Sequence, residues 1–442
     1  MEFVVHILRG LLGISFFLAV AYLASSNRKT FPLRIVFAGL GLQIALLLFL
    51  KLEAAEYVFS TLANWFVAIL AVTEKGASLV FGPLGSADSA RTAFGGPTSG
   101  VILAFQILPT IIFFSALSSV LYYLGILQKI VSVLAWIMRG TMKLSGAESF
   151  ATAANVFIGQ TEAPLLVKPF IPKMSKSELM ALMTGGMATI AGGVMAAYVG
   201  ILGGGDEESK AQFARFLLTA SLLNAPAALI FAKILVPETE KITSRAELEK
   251  NQFGINILDA TATGTSDGLK LALNVGAMLI VFTSLIELIN MALLGFVGKA
   301  PWLGGDLNTA MNSATGYEGL TLQGLCGLLF APVAWMMGVE FADSVDVGAL
   351  MGIKLITNEF VAYQEFATVS AAGELGPKAT MITTFALCGF ANFASIGIQL
   401  GGIGKLAPER SPDLARLAMR ALMGGTLASM LSATMAGLFF TG

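Results

Sequence analysis

The sequence predicts an all-α polytopic membrane protein, with about eight transmembrane helices and two oppositely oriented re-entrant hairpins arranged as an inverted repeat. Three observations carry this. The 442 residues are 56% hydrophobic and only 12% charged. Several apolar runs exceed the roughly 18 residues that a membrane crossing requires, and they lack strand-like alternation. Backbone amides in lipid must be satisfied within the segment, which favours helices over a barrel here. Finally, two further apolar runs carry polar and charged residues at their centres.

Taken in order, residues 1–99 hold two spans, near 3–25 and 32–52, and an interfacial helix near 54–72. The first run follows Glu2 and is longer than a signal-peptide core, so it reads as a retained helix. A span follows at 100–124. Residues 125–236 form a first repeat, with an interfacial helix near 126–144, a broken apolar segment at 148–171 and spans near 176–203 and 211–236. After a cytoplasmic connection, 237–268, comes a span at 269–297. The second repeat, 298–442, contains an interfacial helix near 320–338, a broken segment at 346–372 and spans near 377–400 and 413–440.

Basic residues cluster in one set of short loops: Arg28, Lys29 and Arg34, then Lys129, Arg139 and Lys143, then Lys168, Lys173 and Lys176. The connection bearing Lys241, Arg245 and Lys250, and the later Lys405, Arg410, Arg416 and Arg420, extend the same set. That side is assigned to the cytoplasm. Asp206, Glu207 and Glu208 fall opposite. With eight crossings, both termini face the periplasm of a bacterial inner membrane.

The segment at 148–171 has Gly159, Gln160, Thr161, Glu162 and Pro164 at its middle, which a straight spanning helix would not tolerate. It reads as two half-helices, with Thr161 capping the second and Pro164 in its first turn. In the segment at 346–372, Lys354, Asn358 and Glu359 interrupt the apolar run. Asn358 is the cap there, and Lys354 neutralises a nearby carboxylate. A carboxylate deep in a bilayer costs about 2.5–3.5 kcal/mol on insertion scales, so Glu162 and Glu359 require partners, water or a ligand. Each hairpin is followed by an interrupted helix, TGGMATIAGG at 184–193 and CGFANFASIG at 388–397. Duplicated broken segments point to a binding site near the midplane, between repeats.

At these residues the sequence resembles the concentrative nucleoside transporter family: GQTEAPL at 159–165, NEFVAY at 358–363 and GFANFAS at 389–395 occur in order along nearly the whole chain. The resemblance implies a bacterial sodium-coupled nucleoside symporter, importing uridine-like substrates by an elevator cycle as a homotrimer. The helices at 100–124 and 269–297 would be its fixed scaffold. It places the nucleobase against Gln160, Thr161 and Glu162, with Val194 nearby, and the ribose against Glu359, Asn392 and Ser395. Phe390 would pack on the base. Sodium falls to the Asn155 side chain, the Ile158 carbonyl, Thr189 and the Ile190 carbonyl, a set of neutral oxygens suited to a hard cation. Some relatives have serine at the Thr189 position and some couple to protons, so a proton is the alternative ion.

Other classes are disfavoured. Net charge is −1, with no basic face for nucleic acid. Cys326 and Cys388 lack metal or disulfide spacing, and His6 stands alone. GTSDG at 264–268 fits the Gly-x-Ser-x-Gly pattern but lacks a strand–turn–helix context; Thr265 or Ser266 as a helix cap explains it more simply. GGGD at 203–206 reads as a solvated turn. No prosthetic group is implied. A nucleoside-permeable channel is the rival outside transport proper, and an intramembrane enzyme is the weakest reading.

Overall fold

The computed structural model describes residues 2–94, 102–240, 255–299 and 306–440, all in helices, turns and short connections with no strand among them. The N-terminal helices are α1 (Glu2–Leu23), α2 (Leu33–Leu50), α3 (Glu53–Phe81) and α4 (Ala87–Phe94). Next come α5 (Leu108–Tyr123) and α6 (Ile126–Met142). The chain continues with α7 (Gly146–Asn155), α8 (Ala163–Leu166), α9 (Lys176–Ala188), α10 (Gly192–Gly203) and α11 (Glu207–Leu235). The long helix α12 (Ile257–Ala292) is followed by α13 (Leu307–Thr315) and α14 (Leu322–Met337). The order then recurs in α15 (Ser344–Ile356), α16 (Glu359–Ala371), α17 (Pro377–Leu387), α18 (Phe393–Leu406) and α19 (Ser411–Phe439).

Among the described residues, eight helices are long and apolar enough to cross a membrane. The number matches the sequence expectation with one exchange. The helix expected near 54–72 runs 29 residues, because Glu74 and Lys75 project outward and do not stop it. Conversely, 377–400 is not one span: α17 and α18 have 11 and 14 residues and are separated by an unwound stretch. Helix α12 begins twelve residues before the expected 269, with Asn256 accepting from Asp259 N as its cap. Thr265 and Ser266 therefore lie inside the helix and cap nothing. The GTSDG glycines have a packing role instead. A Cβ on Gly264 or Gly268 would meet the α5 backbone, at Ala116 Cα and Ile112 Cα, each at 2.8 Å. This is the small-xxx-small contact that lets membrane helices approach closely. Asp206 is also more than a turn residue, since it caps α11 by accepting from Ser209 N at 2.8 Å. Lys241, Arg245 and Lys250 lie outside the described residues.

Burial sorts the helices into two groups. In the most apolar stretches of α9–α10, α11 and α19, 83, 83 and 78% of residues lie inside the protein, against 11% for α12 and 22% for α1, α2 and α3. Helices α9, α11 and α19 pack together as the core, with α17 against α11 and α19, while α5 and α12 pair at one side. The two broken helices meet at their breaks. Gly389 has φ 122°, and a Cβ there would lie 2.5 Å from Ala188 O, so only glycine permits this approach.

Candidate functional site

Helix α7 starts at a capping box in which Ser145 and Glu148 satisfy each other's backbone N–H, and it ends at Asn155. The chain then loops through 156–162 before the single helical turn of α8. This departs from the expected pair of half-helices. Thr161 caps nothing; Glu162 stands at the cap position without a side-chain cap bond, and Pro164 sits in the first turn as expected. The second arm is short because Pro169 and Pro172 follow within a turn or two and break helical hydrogen bonding. In the second segment Asn358 caps α16 as expected, accepting from Val361 N at 3.0 Å.

These broken elements enclose a cavity of about 480 Å³. Gln160, Thr161, Glu162, Val194, Glu359, Phe390, Asn392 and Ser395 all line it. They come from four separate chain segments. Hydrogen bonds link four of them, Gln160, Glu359, Asn392 and Ser395: Tyr198 Oη donates to Glu359 Oε1 at 3.0 Å, and Asn392 Nδ2 to Glu359 Oε2 at 2.6 Å. Asn392 also caps α18 by accepting from Ser395 N at 2.9 Å. Gln160 Nε2 donates to Ser395 Oγ at 3.2 Å, and Gln399 Nε2 to Gln160 Oε1 at 3.0 Å. One Glu162 oxygen, Oε2, is buried without a hydrogen-bond partner among the described residues. The cavity therefore presents one tethered carboxylate, one unspent carboxylate oxygen and an aromatic ring, a mixture suited to a small polar ring system.

Asn155, Ile158, Thr189 and Ile190 do not line this cavity; they are buried at the end of α7, in the loop after it and in the break after α9. Two of them converge on Gly185. A Cβ on Gly185 would lie 3.5 Å from Asn155 Nδ2, and Thr189 Oγ1 donates to Gly185 O at 2.9 Å. Neither side-chain amide atom of Asn155 has a hydrogen-bond partner among the described residues, although the residue is 1% exposed. Buried amides are ordinarily satisfied. The C-terminal ends of two helices meet here and direct partial negative charge at the same place, which fits a small cation.

Sequence reasoning missed Tyr198, Gln399 and the face of α12 that supplies Asp267, Lys270 and Asn274 to the cavity wall. Helical spacing could have found the first two: Tyr198 is four residues beyond Val194, and Gln399 four beyond Ser395, on the same faces. Lys354 also departs from expectation. Its Nζ donates to Ala386 O at 2.9 Å, and among the described residues no carboxylate lies within ion-pair distance. The buried pair is elsewhere, with Lys233 Nζ 2.6 Å from Glu148 Oε2.

Comparison with known proteins places this architecture. Residues 12–84 match the Na+ dependent nucleoside transporter N-terminus, 104–205 a nucleoside recognition gate, and 216–437 the Na+ dependent nucleoside transporter C-terminus. An uncharacterized transporter of Haemophilus influenzae is 43% identical, over 98% of both chains. The rat sodium/nucleoside cotransporter 1 is 38% identical over 97% of this chain, which spans 63% of the rat protein. The solved structure of CNTnw in an inward-facing substrate-bound state superposes with a TM-score of 0.85 at 37% identity, covering 98% of this chain and 99% of that one. With the C-terminal match alone spanning half of its length, the chain belongs to the Na+-dependent nucleoside transporter family, multi-pass membrane transporters and not enzymes.

Proposed function

We propose that this protein imports uridine-like nucleosides by sodium symport, with the base held by Gln160, Thr161 and Glu162 beside Val194 and Phe390, and the ribose by Glu359, Asn392 and Ser395. The observation that carries the reading is the convergence of these eight residues, from four segments, on one cavity. Ribose hydroxyls donating to Glu359 make charge-assisted bonds, stronger than neutral ones.

Sodium binds behind the cavity, at the Asn155 and Thr189 side chains and the Ile158 and Ile190 carbonyls. This set contains no titratable group, which favours a metal cation over a proton at this place. The cation pins the α7 end to the α9 break, and Gln160 to Glu162 follow in the same loop. Sodium thus orders the base-binding half, and nucleoside closes the site. The repeats, inverted across the bilayer with hairpins at 148–171 and 346–372, then carry the ligand past α5 and α12 in an elevator motion. The working unit is a homotrimer in a bacterial inner membrane, with both termini periplasmic.

Equilibrium binding of uridine to purified protein tests this. Sodium should tighten binding, and Glu162→Gln and Glu359→Gln should weaken it by about tenfold or more each, as expected when a charged hydrogen-bond acceptor is lost. Wild-type affinity in both folded variants would overturn the site assignment.

A further inference from the structure

Lys354 is a buried cation that the transport reading leaves without a task. It lies in the last turn of α15 and is 4% exposed. Its ammonium donates to Ala386 O in the last turn of α17. Helices α15 and α17 occupy the same places in the second repeat that α7 and α9 occupy in the first. In both repeats a hairpin arm and a broken helix pack together, and each ends in a loop that serves the cavity. Two converging helix C-termini carry about half a negative charge each, and they repel unless a cation lies between them. No basic residue occupies the last turn of α7 or α9. There the last residue of α7, Asn155, carries a buried side-chain amide with no hydrogen-bond partner among the described residues.

We propose that the Lys354 ammonium is the built-in counterpart, in the second repeat, of the cation that the first repeat takes from solution. The second hairpin then needs no ion to assemble. Glu359 is held ready by Tyr198 and Asn392, which donate to its two carboxylate oxygens. Only the first hairpin waits for sodium, so one sodium ion moves with each nucleoside. This rests on the sodium site proposed above and extends it to the coupling ratio.

The test uses the full-length protein in liposomes, with wild type, Lys354→Met and Lys354→Arg compared across a sodium titration and the uridine KM read at saturating sodium. Loss of the ammonium should raise the uridine KM by about tenfold or more, the usual effect of removing a charged hydrogen-bond donor. The sodium concentration for half-activation should stay close to that of wild type, and Lys354→Arg should recover most of the affinity. An unchanged uridine KM in Lys354→Met overturns the inference while leaving the sodium site intact. Wild-type uptake that ignores sodium overturns the sodium site itself. If Lys354→Met does not fold, the wild-type charge ratio decides: one charge per uridine supports the inference, and two overturn it.

Discussion

Replacing Asn224 with alanine should weaken both halves of the transport machinery at once. Asn224 lies on the central helix α11, fully buried, and its Nδ2 donates to Ala188 O at 2.8 Å and to Cys388 O at 3.1 Å. Those carbonyls belong to the two breaks, at the point where Gly389 lets them abut. Cys388 O keeps a second donor, Ser429 Oγ at 2.8 Å. Ala188 is the last residue of α9, so its carbonyl has no intrahelical partner to fall back on. An orphaned buried carbonyl costs about 1–3 kcal/mol and a lost second bond about 0.5–1.5, so the variant should be destabilised by about 2–4 kcal/mol. Asn224→Asp, which sets an acceptor against two carbonyls, should be worse. Thermal unfolding in detergent reads the stability. Uptake kinetics read the function, with uridine KM and sodium half-activation both rising by about three- to tenfold, a cost of about 0.7–1.4 kcal/mol at each site. A stable variant with wild-type values for both would refute the role of this junction.

Other substitutions probe separate features. Asn155→Ala should abolish or sharply weaken sodium activation while uridine still binds at high concentration; unchanged sodium dependence counts against the ion site. Gly389→Ala forces a side chain into a left-handed backbone and against Ala188 O, and should cost more than about 2 kcal/mol in a thermal melt. Gly397→Ala, whose Cβ meets nothing within 4 Å, serves as the tolerated control. Glu148→Gln leaves Lys233 buried with Ser177 Oγ at 3.0 Å and Glu238 Oε2 at 3.7 Å as its remaining partners among the described residues, and should cost about 3 kcal/mol. Adding Lys233→Met should restore much of that stability, and failure to do so would show that the pair itself is net stabilising.

Much of this molecule was legible before any coordinates. Polar residues at the centre of an apolar run can be read directly, because lipid penalises them regardless of tertiary context. That is why the two broken segments and the two interrupted helices were visible in the sequence, whereas the eight residues that line the cavity were named through the family resemblance at GQTEAPL, NEFVAY and GFANFAS. Asp267, Lys270 and Asn274 were not, because they sit on α12, whose facing toward the cavity is set by the Gly264 and Gly268 contact with α5 and not by local pattern. Lys233 and Glu148 are far apart in sequence, so nothing local joins them. Helix length also escaped the sequence reading in α3, which runs on past Glu74 and Lys75 because both point outward. In the broken segment at 148–171, the prolines after Pro164 limited the second helical stretch more than the apolar run implied. The family resemblance supplied the division of the cavity into base and ribose halves, and the geometry is compatible with that division.

The most direct test of the account is uptake of radiolabelled uridine by purified protein in liposomes, with an inward sodium gradient compared against potassium at fixed pH and against an imposed proton gradient. The account predicts accumulation above the external concentration with sodium alone. Accumulation driven only by protons, or no uptake of any nucleoside by folded protein, would contradict it.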